Sequence, residues 1–341
     1  MMTEQAVLQQ IKPYVQSAPW LADDAYVEEQ TGYVYTTDLF VEGRHFDRAY
    51  YAPQHIGWKT AAAAISDIAA TGAKLQHILI SLALPETVDE GFVSAFYRGV
   101  SDLLQTLEVG QLVGGDTVGS PLMAVNVTAI GKMPRWFHPG RRSQAQPGDV
   151  LIATGYHGLS AAGMIALRQG LEGMAVACEA HLKPLPRLKQ GLFLSGRFPR
   201  YALMDSSDGL ADAALKLSAA SRVRVVIDIH QLPIHNDLKI LHGVTREDPL
   251  RLALYGGEDY ELVAAVPLTP AQIRDLPEGF RVIGHVEPYR EGQANAVLIN
   301  GTTQEVLEEL SFERTYQHFS SSGHFSAATT PYDSDGIPPK C

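Results

Sequence analysis

Acidic residues that could bind metal ions stand out at six places in the chain, and at five of them they lie beside glycine, serine or further acidic residues. Hard cations such as Mg²⁺ prefer oxygen ligands and are commonly held by a few carboxylates together with substrate phosphates. Carboxylates that converged on one cleft would repel each other without such ions. The pattern therefore favours metal-assisted phosphoryl transfer. The six places are Asp23-Asp24, Asp38, Asp67, Gly114-Gly115-Asp116, Asp205-Ser206-Ser207-Asp208-Gly209 and Gly256-Gly257-Glu258-Asp259.

The sequence around two of these carboxylates, Asp38 and Asp67, indicates where each lies in the fold. Asp38 follows a β-like run over residues 33–37, and His45 follows it further along the chain. We therefore expect a strand that places the carboxylate in a site and a loop that brings the imidazole back over that site. An ordinary turn residue is the alternative interpretation of Asp38. Asp67 lies in the small, apolar inner turns of a helix predicted over Pro53 to Thr71. A carboxylate there needs a partner, because an unpaired buried charge is very costly.

The glycine pairs suggest close contact between backbone and ligand. Gly114-Gly115 and Gly256-Gly257 can take positive φ and let a ligand approach the main chain, although a tight turn would use the same residues. The Ser206-to-Gly209 segment precedes a predicted helix, so its N–H groups can point at a phosphate. Ser207 or Asp208 could equally be a plain N-cap, and the two roles can coexist.

The arrangement of predicted elements indicates two α/β domains with mixed sheets and packed helices. Strand-like runs alternate with helices of crossover length in both halves of the chain. The segment 134–149 is rich in proline, glycine and arginine, which is typical of a linker. We therefore expect one domain over residues 1–138 and a second over 139–319. Residues 320–341 lack periodicity and are predicted to form a flexible tail.

Composition excludes several classes of protein. The 341 residues are 45% hydrophobic and 19% charged, and the net charge of −11 with a pI of about 5.5 argues against a nucleic-acid-binding protein. With Cys178 and Cys341 as its only cysteines, the chain can form neither a disulfide framework nor a cysteine-based zinc site. It has no evident signal peptide and no apolar run long enough for a membrane span, so we expect a cytoplasmic protein.

Motifs of other enzyme chemistries are missing from the sequence. It contains no G-x-x-x-x-G-K-[ST] phosphate loop, no H-R-D or D-F-G kinase set, no G-x-S-x-G nucleophile elbow and no H-E-x-x-H zinc motif. These enzyme chemistries are therefore excluded.

Six motifs in their order along the chain resemble the thiamine-monophosphate kinase family, in the superfamily of aminoimidazole-ribonucleotide synthetase. The resemblance covers about residues 20–319. Several motifs occur across the superfamily, whereas the first and last point to the kinases. The motifs are Thr37-Asp38-Leu39-Phe40-Val41-Glu42-Gly43-Arg44-His45-Phe46, Ser66-Asp67-Ile68-Ala69-Ala70-Thr71-Gly72-Ala73, Val113-Gly114-Gly115-Asp116-Thr117, Asp205-Ser206-Ser207-Asp208-Gly209-Leu210, Gly256-Gly257-Glu258-Asp259-Tyr260-Glu261-Leu262 and Tyr316-Gln317-His318-Phe319.

The resemblance implies an activity, cofactors and an assembly. The activity is the ATP-dependent phosphorylation of thiamine monophosphate to thiamine diphosphate, the last step of thiamine diphosphate biosynthesis, with several Mg²⁺ ions. The first domain would carry most metal ligands and form a homodimer, and the second would cover the nucleotide. The substrate phosphate would be the nucleophile, so no catalytic protein side chain is expected.

The resemblance also implies site residues. Metal ligands would be Asp24, Thr36, Thr37, Asp38, Asp67, Asp116, Asp205 and Asp208. ATP would contact Gly115, Asp116, Arg142 and Ser207, and a guanidinium suits phosphate geometry. The thiamine phosphate would contact His45, Glu258 and Tyr316.

Three positions depart from the family pattern: Ala22 replaces a usual glycine, Thr71 replaces a common methionine, and Arg44 adds a cation beside His45. The chain also ends in Cys341, like a related hydrogenase-maturation protein that dehydrates a carbamoylated terminal cysteine. That enzyme, or another ATP-using superfamily member, is one alternative. A non-catalytic protein that binds nucleotide or thiamine phosphate is another, although it would have been expected to lose one or more of the aspartates.

Overall fold

Two β-sheets, one from each half of the chain, frame the computed structural model, which describes residues 4–15 and 20–315. The first sheet has the order β1-β2-β5-β3-β4, and only β3 and β4 run parallel among its neighbours. Its strands are β1 (Tyr26–Val27), β2 (Tyr33–Val41), β3 (Lys74–Leu84), β4 (Gln111–Gly119) and β5 (Ala124–Lys132).

The second sheet has the order β12-β11-β8-β10-β6-β9-β7, with β8 and β11 parallel and the other neighbours antiparallel. Both sheets are therefore mixed, as the sequence predicted. The strands are β6 (Val150–Thr154), β7 (Ala202–Asp205), β8 (Val223–Asp228), β9 (Leu262–Val266), β10 (Phe280–Pro288), β11 (Ala296–Asn300) and β12 (Glu305–Glu309).

Ten α-helices are found in the described part of the chain, and none of them combines the length and apolar character that a transmembrane segment needs. Together with the mixed sheets they confirm the predicted α/β class. The helices are α1 (Glu4–Ile11), α2 (Pro53–Thr71), α3 (Glu90–Leu107), α4 (Leu159–Gln169), α5 (Ala175–Leu182), α6 (Leu188–Arg197), α7 (Leu210–Ser221), α8 (Asn236–Thr245), α9 (Pro249–Tyr255) and α10 (Pro270–Arg274).

Helix α2 joins the two halves. It begins with Pro53 at its first turn and ends at Gly72, whose φ of 73° gives the left-handed C-cap that glycine adopts without strain. These are the bounds that the sequence predicted. The helix packs on β2 and β5 of the first sheet and on α6 and β7 of the second half. Because it is covered on both sides, nearly all of its residues are buried.

Two strands are longer than predicted, which changes the environment of three motif residues. Strand β2 was predicted to end at Thr37 but continues to Val41, so Asp38 lies inside the strand. Gly115 and Asp116 lie inside β4 and not in a turn after it. A Cβ at Gly115 would lie 1.6 Å from the carbonyl oxygen of Ile80 on β3, so this glycine permits close contact between the strands.

The two sheets lie on either side of the segment 134–149 that was predicted to be a linker. The boundaries after residues 138 and 319 stay predictions. The predicted tail over 320–341, with Cys341, and the predicted substrate residue Tyr316 lie outside the described residues.

Candidate metal and substrate site

Three carboxylates from distant parts of the chain converge where the two halves meet. One oxygen each from Asp24, Asp67 and Asp205 lies within 4.8 Å of the other two. Asp24 precedes β1, Asp67 belongs to α2, and Asp205 ends β7. Helix α2 thus brings its carboxylate from the first half to the end of a strand of the second sheet.

Hydroxyl groups orient these carboxylates. Thr36 on β2 donates a hydrogen bond from Oγ1 to Asp67, and Ser66 donates from Oγ to Asp205 at 2.7 Å. Asp38 lies on the same side of β2 as Thr36 and contributes electrostatically to the cluster. The structure therefore brings together five predicted metal ligands: Asp24, Thr36, Asp38, Asp67 and Asp205.

The electrostatics of the cluster fit a divalent cation. Burial raises the pKa of Asp67 well above its ordinary value, and the carboxylates of Asp38 and Asp205 raise it further. Burial likewise raises the pKa of Asp205 to about 8, with Asp24 adding to the effect. Converging carboxylates of this kind are stabilised in the ionised form when a cation shares them. The donor set consists of oxygen atoms, which Mg²⁺ prefers.

Arg142 brings a guanidinium to the edge of the cluster. Its Nη2 forms an ion pair with Asp24, and its backbone N–H donates to Asp23 Oδ1 at 2.8 Å. Asp23 also accepts a hydrogen bond from Arg141 Nε at 3.1 Å. The paired aspartates thus have different roles: Asp23 holds the segment that carries Arg142, whereas Asp24 takes part in the cluster.

Two loops of the second half are bound to each other beside Asp205. The N–H of Glu258 donates to the carbonyl of Ser207 at 2.6 Å, and the N–H of Tyr260 donates to that of Ser206 at 3.1 Å. Glu258 has φ of 65° and Tyr260 of 52°, and left-handed conformations of such residues often mark functional sites. Two predicted ligand contacts, Ser207 and Glu258, are therefore adjacent.

Two other acidic residues of these loops make internal contacts. Asp259 accepts hydrogen bonds from the N–H groups of Gly158, at 2.7 Å, and Ser160, at 3.0 Å, at the start of α4. It therefore anchors its loop to a helix N-terminus. Asp208 Oδ2 lies 3.2 Å from Lys216 Nζ, so this predicted metal ligand has a cationic partner on α7.

Thr37 and Asp116 lie on the opposite face of the first sheet from α2. Thr37 Oγ1 accepts a hydrogen bond from Asn126 Nδ2 at 2.9 Å, and Asp116 lines a cavity of about 140 Å³ with Leu39 and Asn126. The whole of β4, including Gly115, is exposed. The structure therefore places these predicted ligands on a second face, away from the Asp24–Asp67–Asp205 cluster.

His45 follows β2, and its Nδ1 accepts a hydrogen bond from the N–H of Val41 at 3.0 Å.

Lys59 is a polar residue of the site that the sequence reasoning missed. Its side chain is buried in α2, and its Nζ lies 2.8 Å from Glu258 Oε2. The sequence does indicate that Lys59 has a partner, because a lysine within an apolar helix needs one for the same reason as Asp67.

Family models match both halves of the chain. The model for AIR synthase related protein, N-terminal domain, matches residues 22–133, and the model for the C-terminal domain matches residues 146–295. The fold and the acidic cluster between the two halves therefore define a two-domain protein of the AIR synthase related class.

Relatives with similar sequences identify the family within this class. The chain is 37% identical to the thiamine-monophosphate kinase of Synechococcus elongatus over 84% of its own length and 87% of that protein. It is 35% identical to the enzyme of Bacillus subtilis, over 83% and 86%. The chain belongs to the thiamine-monophosphate kinase family.

Comparison with solved structures agrees with this family. The structure of AaThiL complexed with AMPPCP and TMP matches with a TM-score of 0.78 and 28% identity, over 93% of this chain and 97% of that one. The hydrogenase maturation protein HypE matches with a TM-score of 0.67 but only 19% identity, which shows a shared fold and nothing more. The alternative based on Cys341 thus gains no support beyond the fold.

Proposed function

We propose that the acidic cluster between the two halves is the active site of an ATP-dependent kinase that phosphorylates thiamine monophosphate to thiamine diphosphate. The protein belongs to the thiamine-monophosphate kinase family and is an enzyme of that type. The convergence of Asp24, Asp67 and Asp205 is the observation that carries the proposal, because their oxygens can hold the cations that phosphoryl transfer needs. A cytoplasmic location is part of the same proposal, since the reaction consumes ATP.

We assign the binding of Mg²⁺ to the inward cluster first. Asp24, Asp67 and Asp205 would hold it, with Thr36 and Asp38 beside them, and Asp208 lies on the neighbouring loop. When bound, Mg²⁺ would neutralise phosphate charge and orient the phosphate oxygens. Thr37 and Asp116 remain predicted ligands on the outward face.

The remaining predicted contacts divide between the two substrates. Gly115, Asp116, Arg142 and Ser207 would contact ATP. Residues 207–209 directly precede α7, and a phosphate is favoured at a helix N-terminus. His45, Glu258 and Tyr316 would contact thiamine monophosphate. The substrate phosphate is already ionised near neutral pH, so its oxygen can attack without a protein base.

The assembly we propose is a homodimer formed through the outward face of the first sheet. Leu39 on β2 is 59% exposed and Val118 on β4 is 61% exposed, and apolar side chains of this size are usually covered in a working assembly. Leu112 and Val113 extend the apolar surface along β4. A second copy would also cover the face that holds Asp116.

The proposed function is tested by incubating the purified protein with ATP, Mg²⁺ and thiamine monophosphate and measuring thiamine diphosphate. We expect product that disappears when EDTA removes the metal. Asp205→Asn should lower turnover at least about a hundredfold, because metal-mediated charge stabilisation contributes several kcal/mol.

Asp237→Asn is the matched control. Asp237 is also a buried aspartate of the second half, but it accepts a hydrogen bond from the N–H of Ala177 and lies outside the cluster. This variant should lose stability and keep its turnover. ATP consumption without thiamine diphosphate would refute the proposed acceptor, and equal losses in both variants would refute the assigned cluster.

A further inference from the structure

A buried lysine fixes one oxygen of Glu258. The side chain of Lys59 is 2% exposed, and its Nζ donates to Glu258 Oε2 at 2.8 Å and to Tyr51 Oη at 2.6 Å. Lys59 belongs to α2 and Glu258 to the loop before β9, so the ion pair joins the two halves. Buried charges persist when they are paired and hydrogen-bonded, as here.

The network continues into the second half. A lysine ammonium only donates, so Tyr51 accepts from Lys59, and its hydroxyl oxygen also lies 2.7 Å from His181 Nε2, within hydrogen-bond distance. Burial, assisted by Lys59, holds the pKa of His181 well below its usual range, so the ring is neutral. Its Nδ1 forms a hydrogen bond with Ser160 Oγ at 2.9 Å.

Glu258 itself is only partly enclosed. Its side chain is 30% exposed, and its hydrogen bond to Lys59 uses Oε2. Within the described residues Oε1 accepts no hydrogen bond, so it is available to a ligand. The backbone at Glu258 is left-handed, with φ of 65°, and its N–H is bonded to the carbonyl of Ser207. Main chain and one carboxylate oxygen are thus both fixed, while the second oxygen accepts no hydrogen bond from the described residues.

We propose that Lys59 is a positioning residue that holds the Glu258 carboxylate for binding of the thiamine part of the substrate. The inference rests on the proposed function, in which Glu258 contacts thiamine monophosphate. The chemistry agrees, because a thiazolium ring is cationic and an aminopyrimidine offers N–H donors, and both favour a carboxylate oxygen. A carboxylate held in one rotamer loses less conformational freedom on binding than a mobile one.

The test is a double-mutant cycle on the full-length protein with Lys59→Met and Glu258→Gln. Loss of one partner of a buried charge pair is costly, so we expect Lys59→Met to raise KM for thiamine monophosphate about tenfold or more. KM for ATP should not change. In the Glu258→Gln background the Lys59→Met change should add little, because Lys59 acts through Glu258.

Trp58→Phe is the matched control. The neighbouring Trp58 also joins the two halves, through a hydrogen bond from Nε1 to the carbonyl of Pro184 at 2.8 Å, and in the described part of the chain the side-chain hydrogen bond and ion pairs of Glu258 involve Lys59 and His181 and not Trp58. This variant should lower Tm and leave both KM values unchanged. A Lys59→Met variant that behaves like Trp58→Phe, or effects of Lys59→Met and Glu258→Gln that simply multiply, would overturn the proposal.

A variant with a milder change covers the case in which Lys59→Met does not fold. Lys59→Arg keeps the charge and displaces it, so KM for thiamine monophosphate should rise alone, and an unchanged KM would refute the positioning role. Failure of this inference is distinct from failure of the proposed function, in which the wild-type protein would make no thiamine diphosphate at all.

Discussion

Neighbouring residues of strand β2 lie in two different environments. Thr36 faces α2 and donates a hydrogen bond to Asp67 inside the acidic cluster, whereas Thr37 faces away and accepts one from Asn126. The inward face is enclosed by both halves of the chain, and the outward face is exposed. Carboxylates predicted as ligands of one metal cluster are thus divided, with Asp67 enclosed and Asp116 on the open strand β4. The inward face fits the proposed Mg²⁺ site, and the outward face fits the proposed dimer interface.

The largest expected difference between the two faces is in catalysis. Asp67→Asn should lower turnover at least about a hundredfold, because charges interact strongly in an enclosed site of low dielectric. Asp116→Asn should cost less, about tenfold or about 1.4 kcal/mol, because Asp116 lies on the outward face and outside the Asp24–Asp67–Asp205 cluster. Steady-state turnover of both variants with saturating ATP and Mg²⁺ measures the contrast. Equal losses would show that the outward carboxylate acts in the same site.

The attachment of the outward strand depends on Gly115. Gly115→Ala should lower the free energy of unfolding by about 2 kcal/mol, because the added methyl would overlap the Ile80 carbonyl and force β4 away from β3. Gly119→Ala is the control, since Gly119 also belongs to β4, a Cβ there meets nothing within 4 Å and its backbone is not left-handed. Urea denaturation measures both. An equal or larger loss at Gly119 would show that contact with Ile80 does not decide the effect.

A charge on the outward face should weaken the proposed dimer. Val118→Lys would bury an unpaired ammonium in the interface, and we expect the dimer Kd to rise about tenfold or more, a change of about 1.4 kcal/mol per tenfold. Sedimentation of dilute samples measures this, and Val244→Lys, at a residue 63% exposed on α8, is the control. A wild-type protein that is monomeric at all concentrations would exclude the dimer.

The smallest effect concerns pH and the inward cluster. Burial raises the pKa of Asp205 from 3.8 to about 8, so in the absence of metal the protonated carboxyl group contributes to the stability of the folded protein. This contribution is complete below about pH 4. That stability is lost as pH rises towards 8. Cations compete with this proton, so the increase in Tm caused by Mg²⁺ should be larger at pH 8.5 than at about pH 6. Thermal unfolding with and without MgCl₂ measures it, and Asp205→Asn should remove most of the difference.

Local signals in the sequence were enough to predict helix α2. Pro53, a run of small apolar residues and Gly72 each act within a turn or two of the helix, so its bounds needed no knowledge of the rest of the fold. The same local logic showed that Asp67 must have partners. It could not show which ones, because Thr36 and Asp205 come from other elements.

The division between the two faces could not be predicted, because the predicted strands were too short. An Asp116 placed in a turn after Val113 has no defined side, whereas the same residue inside β4 has one set by strand alternation. The ion pair between Lys59 and Glu258 joins residues 199 positions apart, so no local pattern could assign it. The sequence indicated which chemistry each residue could perform, whereas its partners depend on how the chain folds.

Helix α2 has a consequence for how the molecule unfolds. One continuous hydrophobic core extends from Trp20 in the first half to Leu310 in the second, and the apolar residues of this helix are part of it. If either half lost its packing, water would reach the side of the helix that the other half still needs. Heating should therefore give a single calorimetric transition in which both halves melt together, and not one melting step for each domain.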